Sequence, residues 1–70
     1  MEFKDKVIYV RAKLNLSQDK LSTILHVSSA TISRWELGKV KPSKKDYMAF
    51  IQLCHSYDIH FEDEEVKING

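Results

Sequence analysis

The sequence predicts an all-α fold, and three observations predict it. Apolar residues recur at three- and four-residue steps along much of the chain, the spacing of one helix face. Two segments open on a serine suited to capping a helix, Ser17 and Ser28, and are separated by a turn too short for anything but a sharp corner. Glycine and proline number two and one in 70 residues, too few for a turn-rich sheet. That length makes one domain, near the lower limit for an unaided core.

The first predicted helix is Phe3–Leu14. Phe3, Val7, Val10 and Leu14 mark its buried face. Arg11 falls four residues after Val7 on that same face, so it either snorkels or meets a buried acid. Asn15 ends the helix in a left-handed conformation, and Leu16 then packs inward. Ile8 and Tyr9 lie off the stripe, either singly exposed or part of a partner surface.

Residues 17–42, SQDKLSTILHVSSATISRWELGKVKP, organise the rest. After Ser17, the apolar residues Leu21, Ile24 and Leu25 follow at helical spacing. His26-Val27 interrupts. Ser28 caps a third helix whose buried side carries Ile32 and Trp35. Gly38 stops it, and Pro42 lies a few residues beyond. Two helices joined by so short a turn make a helix-turn-helix, which presents its second helix to the DNA major groove. A fourth helix is expected from Ser43 to about His55, with Tyr47, Phe50, Ile51 and Cys54 inside and Met48 and Leu53 flanking. Beyond it Ile59 alternates with Phe61 and Val66 with Ile68, around the acidic run 62–65. That pattern fits a strand or hairpin, or a short fifth helix before a loose tail. The expectation adopted is a short ordered segment that packs Ile59 and Phe61 on the body.

Composition narrows the function classes. With 43% hydrophobic and 30% charged residues the chain is globular. No apolar run approaches the roughly 20 residues that span a bilayer. The N-terminal MEFKDKV is too charged for a signal peptide, and one cysteine, Cys54, suits a reducing cytoplasm. Net charge is only +1, but residues 1–45 hold ten Lys/Arg against four Asp/Glu, while residues 46–70 hold one lysine against six acids. A basic body with an acidic tail suits a domain with one phosphate-facing side. No Gly-rich phosphate loop and no nucleophile-base pattern occur, so no enzyme, catalytic residue or cofactor is expected. Cys54-His55 with His60 lacks the ligands of a zinc site, and Cys54 belongs to an apolar stripe.

The two faces of the corner divide by chemistry. Leu21, Ser22, Leu25, Val27, Ile32 and Trp35 point inward, and small Ser22 lets the helices approach. Ser29, Ala30, Ser33 and Arg34 point outward. Arginine can read the O6 and N7 edge of guanine, and Ala30 or the Thr31 methyl can meet a thymine methyl. Gln18, at the start of the second helix, suits a phosphate, as do Lys39 and Lys41 just past the third. Lys44 is a weaker candidate.

These residues resemble the Cro and phage-repressor (xenobiotic-response-element) type of helix-turn-helix domain. The resemblance is carried by Leu16-Ser17-Gln18, Leu21, Val27-Ser28, Thr31-Ile32-Ser33, Trp35-Glu36, Gly38-Lys39 and Pro42-Ser43, within roughly residues 7–54. It implies a compact four- to five-helix bundle, lambda-repressor-like, that binds double-stranded operator DNA, usually as a homodimer. It implies that Gln18 and the loop after the third helix grip phosphates, while Ser28, Ser29, Ala30, Ser33 and Arg34 face bases. It also implies that Arg11 pairs with Glu36 as a structural ion pair. Three positions depart from the pattern: His26 stands where glycine is frequent, Ser22 for alanine, and Leu37 for asparagine.

The expected organisation is a helix-turn-helix domain over residues 1–56 and an acidic C-terminal segment over 57–70 that packs or dimerises. The expected function is a cytoplasmic transcription regulator of prokaryotic, phage or plasmid type, a repressor acting by operator occlusion. The alternative is a protein-interaction module, such as the antitoxin of a toxin pair or an adaptor, that engages a protein partner through its C-terminal segment.

Overall fold

Four helices follow one another in the computed structural model, which describes residues 1–62. They are α1 (Phe3–Leu14), α2 (Gln18–Leu25), α3 (Ser29–Glu36) and α4 (Lys44–Ser56). No strand occurs among the described residues. The bundle is the predicted all-α helix-turn-helix fold. Val66, Ile68 and the acidic residues from 63 onward lie outside the described residues.

Three helices start on the same device. The hydroxyls of Ser17, Ser28 and Ser43 accept the backbone N–H three residues on, from Lys20, Thr31 and Asp46, at 3.0, 3.1 and 3.1 Å. Each satisfies one of the donors a helix start leaves without a partner. Ser43 therefore caps α4 from outside, with extended backbone, and the helix begins one residue later than its predicted start.

All four helices also end alike. The positive-φ residues among those described are Asn15, His26, Gly38 and Asp58, at φ 56°, 59°, 72° and 58°, and each follows a helix. The left-handed turn lets the next residue's N–H reach back to a helical carbonyl: Leu16 to Arg11, Val27 to Ser22, Lys39 to Arg34 and Ile59 to Cys54, at 2.8–3.0 Å. Asn15 and Gly38 were legible as such stops. Asp58 was not.

Phe3, Val7, Val10, Leu21, Leu25, Ile32, Trp35, Phe50, Ile51 and Cys54 close one core, with Phe3 partly buried. Phe3 is its aromatic hub, with ring centroids 5.2 Å from Trp35 and from Phe50 and 5.8 Å from Tyr47. It joins α1 to α3 and α4 in one contact set. Ile59 and Phe61 are buried in the same core, so the packed body runs beyond α4.

Two side chains, Ile24 and Lys6, sit differently from the apolar pattern. Ile24 is 39% exposed, because only Leu21 and Leu25 of the α2 stripe face the bundle. Lys6 is 3% exposed. Its ammonium lies 3.4 Å from the Tyr47 hydroxyl and 5.1 Å from the Phe61 ring centre, so an aromatic shelf and a polar oxygen solvate a charge the core would otherwise reject. Its spacing gave a cue: position 6 is three residues after Phe3 and four before Val10. Tyr9 is half-exposed, and its ring meets Phe61 edge-on at 6.1 Å.

Candidate nucleic-acid interface

The second helix of the corner, α3, owes its position to packing on one side only. Ile32 is 0% exposed and Trp35 is also buried, so both anchor its inner face. α3 packs against α2 and α1. The opposite face then has no partner in the bundle. Ala30 and Arg34, one turn apart, are both exposed there, with Ser29 and Ser33 half-buried beside them. Among the described residues Arg34 makes no hydrogen bond or ion pair. Its planar five-donor fork is thus available to an external acceptor.

Ser28 and Thr31 are less available. The Ser28 hydroxyl caps α3 and lies 2.9 Å from the Thr31 hydroxyl. Their first duty is to hold the helix start. The Thr31 methyl and the remaining lone pairs are what they present outward.

The far end of α3 is fixed by charge. Glu36, its last residue, accepts two hydrogen bonds from Arg11, from Nε at 2.6 Å and from Nη2 at 3.1 Å. Arg11 Nη1 donates to the Leu16 carbonyl at 3.0 Å, and Gln18 Nε2 donates to Glu36 Oε1 at 3.0 Å. One carboxylate therefore ties the end of α3 to α1 and to the start of α2, and Arg11 carries the link on to the α1–α2 turn. Arg11 thus meets an acid and does not snorkel. Burial opposes the charge on Glu36, but the hydrogen bonds from Arg11 and Gln18 and the adjacent guanidinium charge outweigh it, and the carboxyl sits below its ordinary value. The hydrogen bond to Glu36 raises Arg11 above its ordinary value despite burial.

Gln18 consequently has a duty the sequence did not announce. Its partner lies eighteen residues away, and no local pattern carries that contact. One amide N–H is used; the other remains to donate to a phosphate.

Past Gly38 the surface is uniformly basic. Residues 37–45 hold four lysines and no acid. Lys39 and Lys41 are exposed. Leu37 is 62% exposed and extends the outward stripe of Ala30 and Arg34 with an apolar side chain. The arrangement has the order of a duplex-binding surface: a polar helix face to read, with cations beside it to hold a backbone.

A second cluster lies at the end of α4. His55 and His60 rings lie 4.6 Å apart, and His60 Nε2 is 3.1 Å from Asp58 Oδ1. Cys54 is buried in the core. Among the described residues no group of three or more His, Cys, Asp or Glu side chains is arranged to hold a metal ion. No described helix is long and apolar enough to cross a membrane.

Comparison with known proteins agrees with this fold. Residues 7–59 match a protein family described as Helix-turn-helix. The chain is similar to the HTH-type transcriptional activator BcrR of Enterococcus faecalis, with 44% identity over 43 residues, 61% of this chain and 21% of that protein. The chain thus aligns with about a fifth of that relative's length. No solved structure matches significantly.

Proposed function

The chain belongs to the helix-turn-helix family, a family of DNA-binding transcription regulators, and from that premise we propose that it binds operator DNA sequence-specifically through α3 and represses by occlusion. The observation that carries this is the outward face of α3. Arg34 has no described partner there, Ala30 and Ser33 flank it, and the lysine loop follows directly.

α3 enters the major groove. Arg34 donates to the O6 and N7 of a guanine, Ala30 and the Thr31 methyl meet a thymine methyl, and Ser28, Ser29 and Ser33 contact base edges or phosphates at short range. Gln18, Lys39 and Lys41 hold phosphates and set the register. The Arg11–Glu36 pair touches no DNA. It sets the angle at which α3 leaves the bundle.

One short helix with a single multidentate donor reads few bases. A two-fold homodimer on half-sites about one helical turn apart supplies the remaining specificity. Exposed apolar side chains available to such a contact include Ile8, Met48 and Tyr57.

Repression by occlusion needs nothing beyond a bound domain of this size. The similar relative is named an activator, which makes the sign of regulation an experimental question. In vitro transcription with the operator over the promoter gives less transcript on adding protein if occlusion operates; more transcript reverses the sign.

Selection from a random duplex pool tests DNA reading itself. Wild type should enrich one motif. Arg34→Ala should lose preference at one or two positions, worth about 1–3 kcal/mol of discrimination, while retaining non-specific binding. No enriched motif, together with negligible binding at low salt, ends the DNA-binding proposal. An unchanged motif removes Arg34 from base reading.

A further inference from the structure

A second basic surface adjoins the first and comes from a different helix. An open groove of about 600 Å³ lies between the start of α1 and the loop from α3 to α4. Lys4 and Lys6 line one side, Lys41 and Lys44 the other. Among its described lining residues Glu2 is the only acid. Lys4 is placed there by Gly38: a methyl group built on Gly38 would meet Lys4 Cδ at 3.3 Å. The aliphatic stem of Lys4 therefore lies across the turn that ends α3, and its charge joins the loop that carries Lys39 and Lys41. Gly38 serves twice there, for its φ of 72° and for the room it leaves. Lys6, buried beside Tyr47, forms part of the groove wall.

We propose that this groove is a backbone-phosphate site for duplex DNA, in which Lys4 of α1 and Lys44 at the start of α4 extend the grip of the α3–α4 loop onto phosphates flanking the bases that α3 reads. The proposal rests on the DNA-binding reading above and extends its footprint by two residues. Continuity favours DNA over a small anion. The groove begins where α3 ends, it is open, and its rim carries exposed lysines, which are point charges suited to following a backbone. Such contacts release counterions and are blind to sequence.

The test is the salt dependence of binding by the 70-residue wild-type chain, Lys4→Gln, Lys4→Arg and Lys44→Gln. Two duplexes are used, one selected by wild type from a random pool and one unrelated. Lys4→Gln should weaken binding to both duplexes by the same factor. It should also flatten the slope of log K against log salt by about 0.9, the value for one phosphate contact. Lys4→Arg should restore both quantities. Lys44→Gln should repeat the loss from the opposite rim, independently of packing on Gly38. Thermal melts establish that each variant is folded, as exposed positions predict.

An unchanged slope in both Gln variants overturns the proposal while leaving DNA reading by α3 intact. So does a loss confined to the selected duplex. Titration with inorganic phosphate at constant ionic strength, followed by NMR at Lys4 and Lys44, separates the two sources of the anion. No saturable shift is expected; a saturable one assigns the groove to a free ion and overturns the backbone assignment. If wild type binds neither duplex at low salt, the DNA-binding reading fails and takes this groove with it.

Discussion

Glu36 stays ionised against the cost of its own burial, and the reason is local. Its side chain is 10% exposed and that of Arg11 26% exposed, so the pair is shielded enough for the loss of one partner to matter. Removing Arg11 leaves a carboxylate with only Gln18 to satisfy it. Arg11→Met should therefore destabilise the fold by about 3 kcal/mol, the lower end of the range for breaking a buried pair, because Arg11 keeps some contact with water. The pH dependence has a definite sign. The carboxyl of Glu36 is lowered in the folded state, so its stabilisation is fully present above the ordinary glutamate value of about 4.3. It is lost as pH falls through the folded value. Urea unfolding of wild type and Glu36→Gln between neutral pH and pH 3 should show curves that lie apart near neutrality and converge in acid. A constant gap at all pH values would mean that the ionised form of Glu36 contributes nothing. The same junction orients α3, so Arg11→Met should also weaken DNA binding in protein that is still folded.

The helices are held less by propensity than by their ends. α2 and α3 have eight residues each, too short to persist alone in water. A serine cap opens each, and a left-handed closure ends each. His26 is the costly member of this set. At φ 59° and ψ 41° its Cβ approaches the following carbonyl, at a cost of about 1–2 kcal/mol. Glycine removes that cost but adds about 0.5–1 kcal/mol of unfolded-state entropy to overcome. The first effect is the larger, so His26→Gly should raise stability by about 0.5–1 kcal/mol, seen as a higher urea midpoint at unchanged m-value. A lower midpoint would show that the imidazole contributes contacts outweighing the strain. His26 is exposed, so few such contacts are available.

At the scale of the whole molecule, what the sequence made legible was what it encodes locally. The caps at Ser17 and Ser28, the stops at Asn15 and Gly38, and the buried stripes of α1, α3 and α4 are short-range patterns, and the structure keeps them. The residues left unread are those whose partners are distant in the chain. Gln18 reaches Glu36, Lys6 reaches Tyr47 and Phe61, and Lys4 crosses Gly38; spacing along one helix can place Lys6 on the inner face but announces none of these contacts. The Arg11–Glu36 pair, equally distant, came from the resemblance, while the residues alone said only that Arg11 wanted an acid. The same reasoning bears on where the folded unit ends. The pattern suggested residues 1–56 as the domain, followed by a segment over 57–70 that packs or dimerises, with Ile59 and Phe61 on the body. Ile59 is 5% exposed and Phe61 8%, and Asp58 turns the chain so that both return to the core. Phe61 covers the Lys6 ammonium and meets Tyr9, so it shields a buried charge as well as apolar surface. A chain ending at residue 56 should thus lose the burial of two large side chains, about 3–6 kcal/mol, and leave Lys6 open to water. A chain ending at residue 62 should retain it. For a domain this small the first loss approaches the whole stability, so the 56-residue form should melt broadly near room temperature or fail to fold. Thermal melts by circular dichroism compare the two directly. Equal melting temperatures would show that Ile59 and Phe61 rest on the core without supporting it.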